Sequence, residues 1–376
     1  MSERIARFLA EQTPETPCLV VDLDLIGAAY EALRRYLPLA QIYYAVKANP
    51  ATEIVAMLNR KGASFDVASR GETGLCLANG IAPDRLSFGN TIKKERDIAY
   101  AYQAGVRLFA FDSARELEKL ARAAPGARVF CRILVPCDGA EWPLSRKFGC
   151  APEMAIDLLR HARAAGLDPY GVSFHVGSQQ TDLGQWDGAV GAAAQMFSAL
   201  AEADIALRMI NIGGGFPAQY SGTVPGVERY AQAVMAAITR HFGNDLPEII
   251  IEPGRSLVGD AGIIQSEVVL ISEKGGDDTR RWVYLDIGKF NGLAETMDES
   301  IKYRIVTPGR GGSAGPVVLA GPTCDSADIL YEKTEYRMPL ALRVGDKVEI
   351  LSTGAYTASY ASVGFNGFAP IRTYCI

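Results

Sequence analysis

The sequence predicts an α/β fold, a (β/α)8 TIM barrel, joined to a second, β-rich domain, and three observations carry that prediction. Through the first two-thirds of the chain, eight short apolar runs alternate with longer amphipathic stretches. After about residue 258 the texture changes to β-rich runs separated by glycine-rich turns. The early run Cys18–Val21 has no helical stretch of its own and is available to pair into the β domain.

The eight runs fall at residues 42–46, 64–68, 85–88, 107–111, 128–134, 170–176, 209–212 and 248–251. Between most of them lie stretches rich in Ala, Leu, Glu and Arg, such as 114–124 and 152–165, with apolar residues at helical spacing. Eight strand–helix repeats fit a closed barrel; a doubly wound open sheet fits the same periodicity. Downstream, residues 262–271, 281–285, 316–320 and 347–351 read as strands, with turns at PGRGGSAGP and RVGDK. The expected division is a barrel over residues 25–258 and a β-sandwich or β-barrel domain built from 1–24 plus 259–376.

Composition narrows the function. The chain has 376 residues, 48% hydrophobic and 22% charged, ordinary values for a soluble two-domain enzyme. A formal charge of -5 argues against a nucleic-acid partner. Seven scattered cysteines, without a CxxC pair, predict reduced thiols in a cytoplasmic protein rather than a disulfide framework. The charged N-terminus has no signal-peptide core, and no apolar run is long enough to span a membrane.

Several residue types stand where barrel strands end, the place where barrel enzymes gather their chemistry. Lys47 follows the apolar run IYYAV. It reads either as a lysine snorkelling at a strand end or as a buried amine of lowered pKa, able to form a Schiff base. NIGGGFP, with Gly213, Gly214 and Gly215, lets backbone N–H groups approach an anion. It lacks the spacing of a dinucleotide site or a P-loop. IIIEPGR places Glu252 and Arg255 together, as a rim ion pair or as a carboxylate and a guanidinium facing a cofactor. His175 is the one histidine of three in a strand-like run; His161 and His241 lie in helical patterns. No HExxH or comparable cluster points to a metal. An amine, a phosphate cradle, an anion for a ring nitrogen and a flat group to stack make up the inventory for pyridoxal phosphate.

YYAVKANP, FDVASRGE, SFHVGSQ, NIGGGFP, EPGR, GPTCDSAD, GAYT and FNGF follow one another from residue 43 to 368. In this order they resemble the fold-type III pyridoxal-phosphate decarboxylases, the superfamily of ornithine decarboxylase and alanine racemase. The resemblance implies the following roles. Lys47 would carry the cofactor, with Asp66 beside its amine. Glu252 would pair with the pyridine nitrogen, His175 would stack on the ring, and Arg132 would bond near the phenolic oxygen. Ser178, Gly213, Gly214, Gly215, Gly254, Arg255 and Tyr356 would surround the phosphate. Cys324 would reach across a homodimer interface to protonate the substrate carbon after decarboxylation. Asp325 from the same partner, with Asp298, would bind a distal ammonium, and Phe365 and Tyr356 would line the pocket.

The implied activity is decarboxylation of L-ornithine or L-lysine to putrescine or cadaverine in polyamine synthesis. The stretch DIGKFNGLAETMDES departs from the animal and trypanosomal pattern around the substrate pocket, and FGNTIK replaces an NPCK-like element. Diaminopimelate or another amino acid is the alternative substrate, and a non-catalytic homologue the alternative outside enzymes. Arginine is disfavoured because arginine decarboxylases of this fold are expected to be much longer chains.

Overall fold

A computed structural model of the chain describes residues 1–142, 147–276 and 278–376. Two compact units emerge: Gly27–Pro217 with Val224–Gly254, and Met1–Ile26 with Ala218–Thr223 and Arg255–Ile376.

The first unit holds a closed barrel of eight strands. In chain order these are Ala40–Ala45, Ser64–Val67, Leu86–Phe88, Leu108–Phe111, Arg128–Arg132, Asp168–Ser173, Met209–Asn211 and Glu248–Ile251. All neighbours are parallel, and the eighth strand pairs back onto the first, Ile249 opposite Ala40. Closure excludes the open sheet. Tyr43, Leu108, Ala110, Phe130, Tyr170, Met209 and Ile250 form one buried cluster of strand side chains. The fifth and sixth strands end sooner than the apolar runs suggested, so residues 133–134 and 174–176 lie past the strand ends.

The helices Glu3–Gln12, Arg70–Ala78 and Ala114–Ala123 start at serine caps. Ser69 accepts the N–H of Glu72 at 3.2 Å, while Glu72 Oε2 accepts the N–H of Ala68, the residue before the cap, at 2.6 Å. In Ala114–Ala123 the buried positions are Glu116, Leu117 and Leu120, one face of a helix.

The second unit carries an eight-stranded mixed sheet. Its longest strand, Gly262–Gly275, pairs antiparallel with Cys18–Val21, Lys347–Leu351 and Asp278–Leu285. The N-terminal run therefore does join the β domain, and the terminal strand Arg372–Cys375 pairs parallel to it. The strand Ile329–Pro339 was not foreseen, because its charged ILYEKTEYRMP sequence has no continuous apolar run. Among the described residues no helix is long and apolar enough to cross a membrane.

Candidate active site

In the barrel unit, the first strand runs into a single 3-10 turn, Val46–Ala48, that carries Lys47. The turn brings the side chain out of the strand, leaving it 48% exposed, so of the two alternatives the sequence left open the buried ammonium is the one not met. Lys47 Nζ lies 3.2 Å from Asp66 Oδ2. Asp66 is buried on the second strand, and its Oδ1 accepts no hydrogen bond among the described residues. Gly89 makes room for it: a Cβ there would stand 2.0 Å from Oδ1.

Glu252 directly follows the eighth strand. Asn211, the last residue of the seventh strand, accepts the Gly213 N–H on Oδ1 at 2.9 Å. That bond orients the amide so that Nδ2 donates to Glu252 Oε1 at 2.5 Å. The Glu252 N–H donates to Gly213 O at 2.8 Å, so strand end and glycine loop are tied twice. Burial pushes the Glu252 carboxyl up to about 7, with Asp66 adding to it. Lys47, Asn211 and Arg132 pull it back. Asn211 was missed in the sequence; its signal is the polar residue opening NIGGG.

The loop needs its glycines for backbone approach. A Cβ on Gly213 would meet Phe174 O at 2.4 Å, and one on Gly214 would meet Glu252 O at 2.6 Å. Gly215, at φ 94°, is in the left-handed region. His175 Nδ1 accepts the Gly177 N–H at 3.0 Å, which leaves the hydrogen of the neutral ring on Nε2. Burial, then Arg132 and Lys47, push the imidazolium pKa well below the ordinary value, so the ring is neutral. Arg132 ends the fifth strand, with its guanidinium 5.2 Å from the Phe148 ring centroid. Ser178 opens the short strand Ser178–Gln180, and Gly254 is buried. A backbone cradle that any side chain would fill, an orphaned carboxylate oxygen beside an amine, and a neutral flat ring fit the charge and shape of pyridoxal phosphate.

The second unit holds the other candidates. Arg255 opens the helix Arg255–Val258 and is buried. Its Nη1 and Nη2 donate to Glu295 Oε2 and Oε1 at 2.7 and 2.6 Å, and Nη1 also donates to Tyr220 Oη at 2.7 Å. The guanidinium lies 4.9 Å from the Tyr356 ring centroid. The glutamate that pairs with Arg255 is thus Glu295, forty residues away, which sequence reading did not identify. Asp298 is exposed, has φ 52°, and makes no hydrogen bond or ion pair among the described residues. Burial opposes ionisation of Glu299, but hydrogen bonds from Glu332, Lys333 and Thr334 hold its carboxyl at about 2.

Cys324 is exposed rather than buried as its thiol alone would suggest, and its N–H donates to Asn366 Oδ1 at 3.0 Å. Asp325 is exposed and accepts the Ala327 N–H at 2.8 Å. Buried Asp328, also missed, takes the N–H of Lys289 at 2.7 Å and both the N–H and hydroxyl of Thr323 at 3.1 and 2.7 Å. Phe365 is 38% exposed and its ring centroid lies 4.9 Å from that of Phe290.

A parallel barrel with an amine after its first strand, a glycine loop after its seventh and a carboxylate after its eighth defines a pyridoxal-phosphate enzyme of the barrel type. The chain belongs to the pyridoxal-dependent decarboxylases: the family described as "Pyridoxal-dependent decarboxylase, pyridoxal binding domain" matches residues 23–259. The lysine/ornithine decarboxylase of Selenomonas ruminantium is 35% identical over 370 residues, covering 98% of this chain and 91% of that one. The lysine/ornithine decarboxylase of Vibrio vulnificus, solved with cadaverine, superposes with a TM-score of 0.89 at 31% identity, covering 100% of this chain and 99% of its own. The arginine decarboxylase of Paramecium bursaria Chlorella virus has a TM-score of 0.89 at 25% identity, with 100% of both chains covered. Chain length therefore does not set arginine decarboxylases apart, which corrects the argument made from the sequence.

Proposed function

We propose that the chain decarboxylates L-lysine and L-ornithine, releasing cadaverine and putrescine for polyamine synthesis. The observation that carries the substrate class is the exposed carboxylate of Asp298, without a partner among the described residues, in a segment whose other two acids are engaged. Such a group complements a distal ammonium and repels the distal carboxylate of diaminopimelate. The names of the bacterial relatives agree with this reading.

Pyridoxal phosphate supplies an electron sink for the pair left when CO2 departs. The chain's own residues do the rest. Lys47 offers the amine for covalent attachment, and Asp66 keeps that amine in place. Glu252 holds a proton on the pyridine nitrogen, with Asn211 fixing one of its carboxylate oxygens. His175, neutral, offers a flat face, and Arg132 donates toward the phenolic oxygen. Ser178, Gly213, Gly214, Gly215, Gly254, Arg255 and Tyr356 hold the phosphate. Cys324 returns a proton to the substrate's α carbon. Asp298 and Asp325 bind the distal ammonium, and Phe365 and Tyr356 enclose the connecting methylenes.

We further propose a C2 homodimer in which the partner's Cys324 and the partner's Asp325 complete the site of Lys47. The exposure of Cys324 on its own chain supports this. Mixing Lys47→Ala with Cys324→Ala chains should then restore about a quarter of the sites, the statistical share in a twofold dimer. No recovery despite proven exchange would place both groups in one chain. Amine release from lysine, ornithine, arginine and diaminopimelate, measured in parallel, tests the substrate. Lysine and ornithine should lead; preference for diaminopimelate or arginine would overturn the assignment.

A further inference from the structure

The segment Ala294–Glu299 holds three acids, and two of them are occupied. Glu295 is locked in its two-pronged pair with Arg255. Glu299 accepts three consecutive backbone N–H groups: Oε1 takes those of Glu332 and Lys333 at 2.8 and 2.7 Å, and Oε2 takes that of Thr334 at 2.6 Å. These amides need a partner. The ladder between Ala314–Ala320 and Ile329–Pro339 jumps from Leu319–Tyr331 to Val317–Tyr336, so residues 332–335 bulge out of register. The Glu299 carboxylate accepts three of the amides in that bulge.

Asp298 lies immediately before this clamp. The backbone leaves helical geometry at Met297, and Asp298 and Glu299 follow with φ 52° and 56°. Two consecutive non-glycine residues in the left-handed region persist only where their surroundings over-determine them. Glu295 three residues before and Glu299 one residue after supply that restraint.

We propose that Glu299 is a positioning residue: by clamping the bulge at 332–334 it fixes the Asp298 carboxylate for the distal ammonium, and so sets the preference for diamino acids over analogues that lack the ammonium and end in a methyl group. The proposal rests on the reading of Asp298 as the ammonium site. Glu299→Ala should lower kcat/KM for lysine by roughly ten- to a hundredfold, the scale of a misplaced contact, mainly through KM. Turnover of norleucine, which has the same carbon skeleton without the ammonium, should stay within about twofold, since it never used that contact. Amide hydrogen exchange at residues 332–334 should quicken in the same variant, a readout independent of catalysis. Glu299→Gln, which keeps one acceptor oxygen but turns an NH2 toward Thr334, should fall between, and it carries the test if the alanine variant does not fold.

Equal loss on lysine and norleucine, or retained discrimination despite faster exchange, would overturn the proposal. Asp298→Asn distinguishes the ammonium site from its positioning by Glu299. If that variant still prefers lysine over norleucine as strongly as the native chain, the ammonium reading itself fails. If it loses the preference while Glu299→Ala keeps it, only the positioning role fails.

Discussion

Two lysines near the ends of barrel strands have opposite surroundings. Lys47, after the first strand, is half exposed beside the buried carboxylate of Asp66. Lys93, five residues past the third strand, has no side-chain exposure at all. Its Nζ donates to Asn90 O at 2.8 Å and Ala110 O at 2.6 Å, and pairs with Glu116 Oε1 at 3.0 Å. Burial lowers its pKa to about 8, against the pull of Glu116. Burial alone would have chosen Lys93 as the reactive amine. Two carbonyl oxygens accept from the Lys93 ammonium and the Glu116 carboxylate lies in ion-pair range, so it fastens the Asn90 turn, the fourth strand and the helix Ala114–Ala123 together. Lys47 is the amine a small aldehyde can reach. If Lys47 carries the cofactor as proposed, access rather than burial separates it from Lys93.

Lys47→Ala should sharpen that contrast most. Visible absorbance of the holoenzyme and decarboxylation should both fall to background, and borohydride reduction with peptide mapping should find the native adduct on Lys47. An adduct on Lys93 would make the buried lysine the reactive one. Lys93→Met should do the reverse, leaving the adduct on Lys47 while lowering stability by about 3–5 kcal/mol, the usual effect of stripping one partner from a buried pair. Lys119, 2.5 Å from Glu116 Oε2, moderates the loss. Urea unfolding measures it, and a variant as stable as the native chain would show that the Lys93 pair holds nothing.

The sequence was most legible where backbone and side chain obey short-range rules. All eight barrel strands were readable because each is a short apolar run between helical patterns; the N-terminal strand was rightly given to the β domain but for a wrong reason, since the helix Leu23–Tyr36 does follow it. Lys47, Glu252 and the three glycines were readable from their places after strands. What escaped depends on long-range partners. Glu295 looked like one acid among several in LAETMDES, and only folding brings it to Arg255. Asn211 looked like a loop residue until Gly213 oriented its amide. Glu299 acts on a bulge in a strand that itself went unseen, because alternating charges hid its pattern. Roles for Cys324, Asp298 and Asp325 came from the family resemblance alone, since an exposed thiol or carboxylate carries no local signature.

Burial acts on the barrel carboxylate Glu252 as it does on Lys93, with the opposite sign. Burial lowers Lys93 and raises Glu252, disfavouring the charged form in each case, so their contributions to stability run in opposite directions with pH. In the cofactor-free protein the folded-state Glu252 keeps its proton up to about 7, while the unfolded chain loses it near 4.5. Between those values the folded state binds more protons than the unfolded one, so this contribution is complete below 4.5 and disappears as pH rises through 7. Glu252→Gln keeps an acceptor for Asn211 and has no proton to lose. It should match the native apoprotein near pH 4.5 and exceed it above pH 7, by on the order of 1–2 kcal/mol once partial solvent screening is allowed for. For Lys93 the window is the alkaline one: the native chain gains stability between about 8 and 10.5, and Lys93→Met should lack that rise. Chemical denaturation of the three apoproteins from pH 4 to 10 reads both slopes at once. Parallel curves for native protein and Glu252→Gln would mean that Asn211, Lys47 and Arg132 fully offset the burial of Glu252, leaving the barrel carboxylate an ordinary acid before any cofactor arrives.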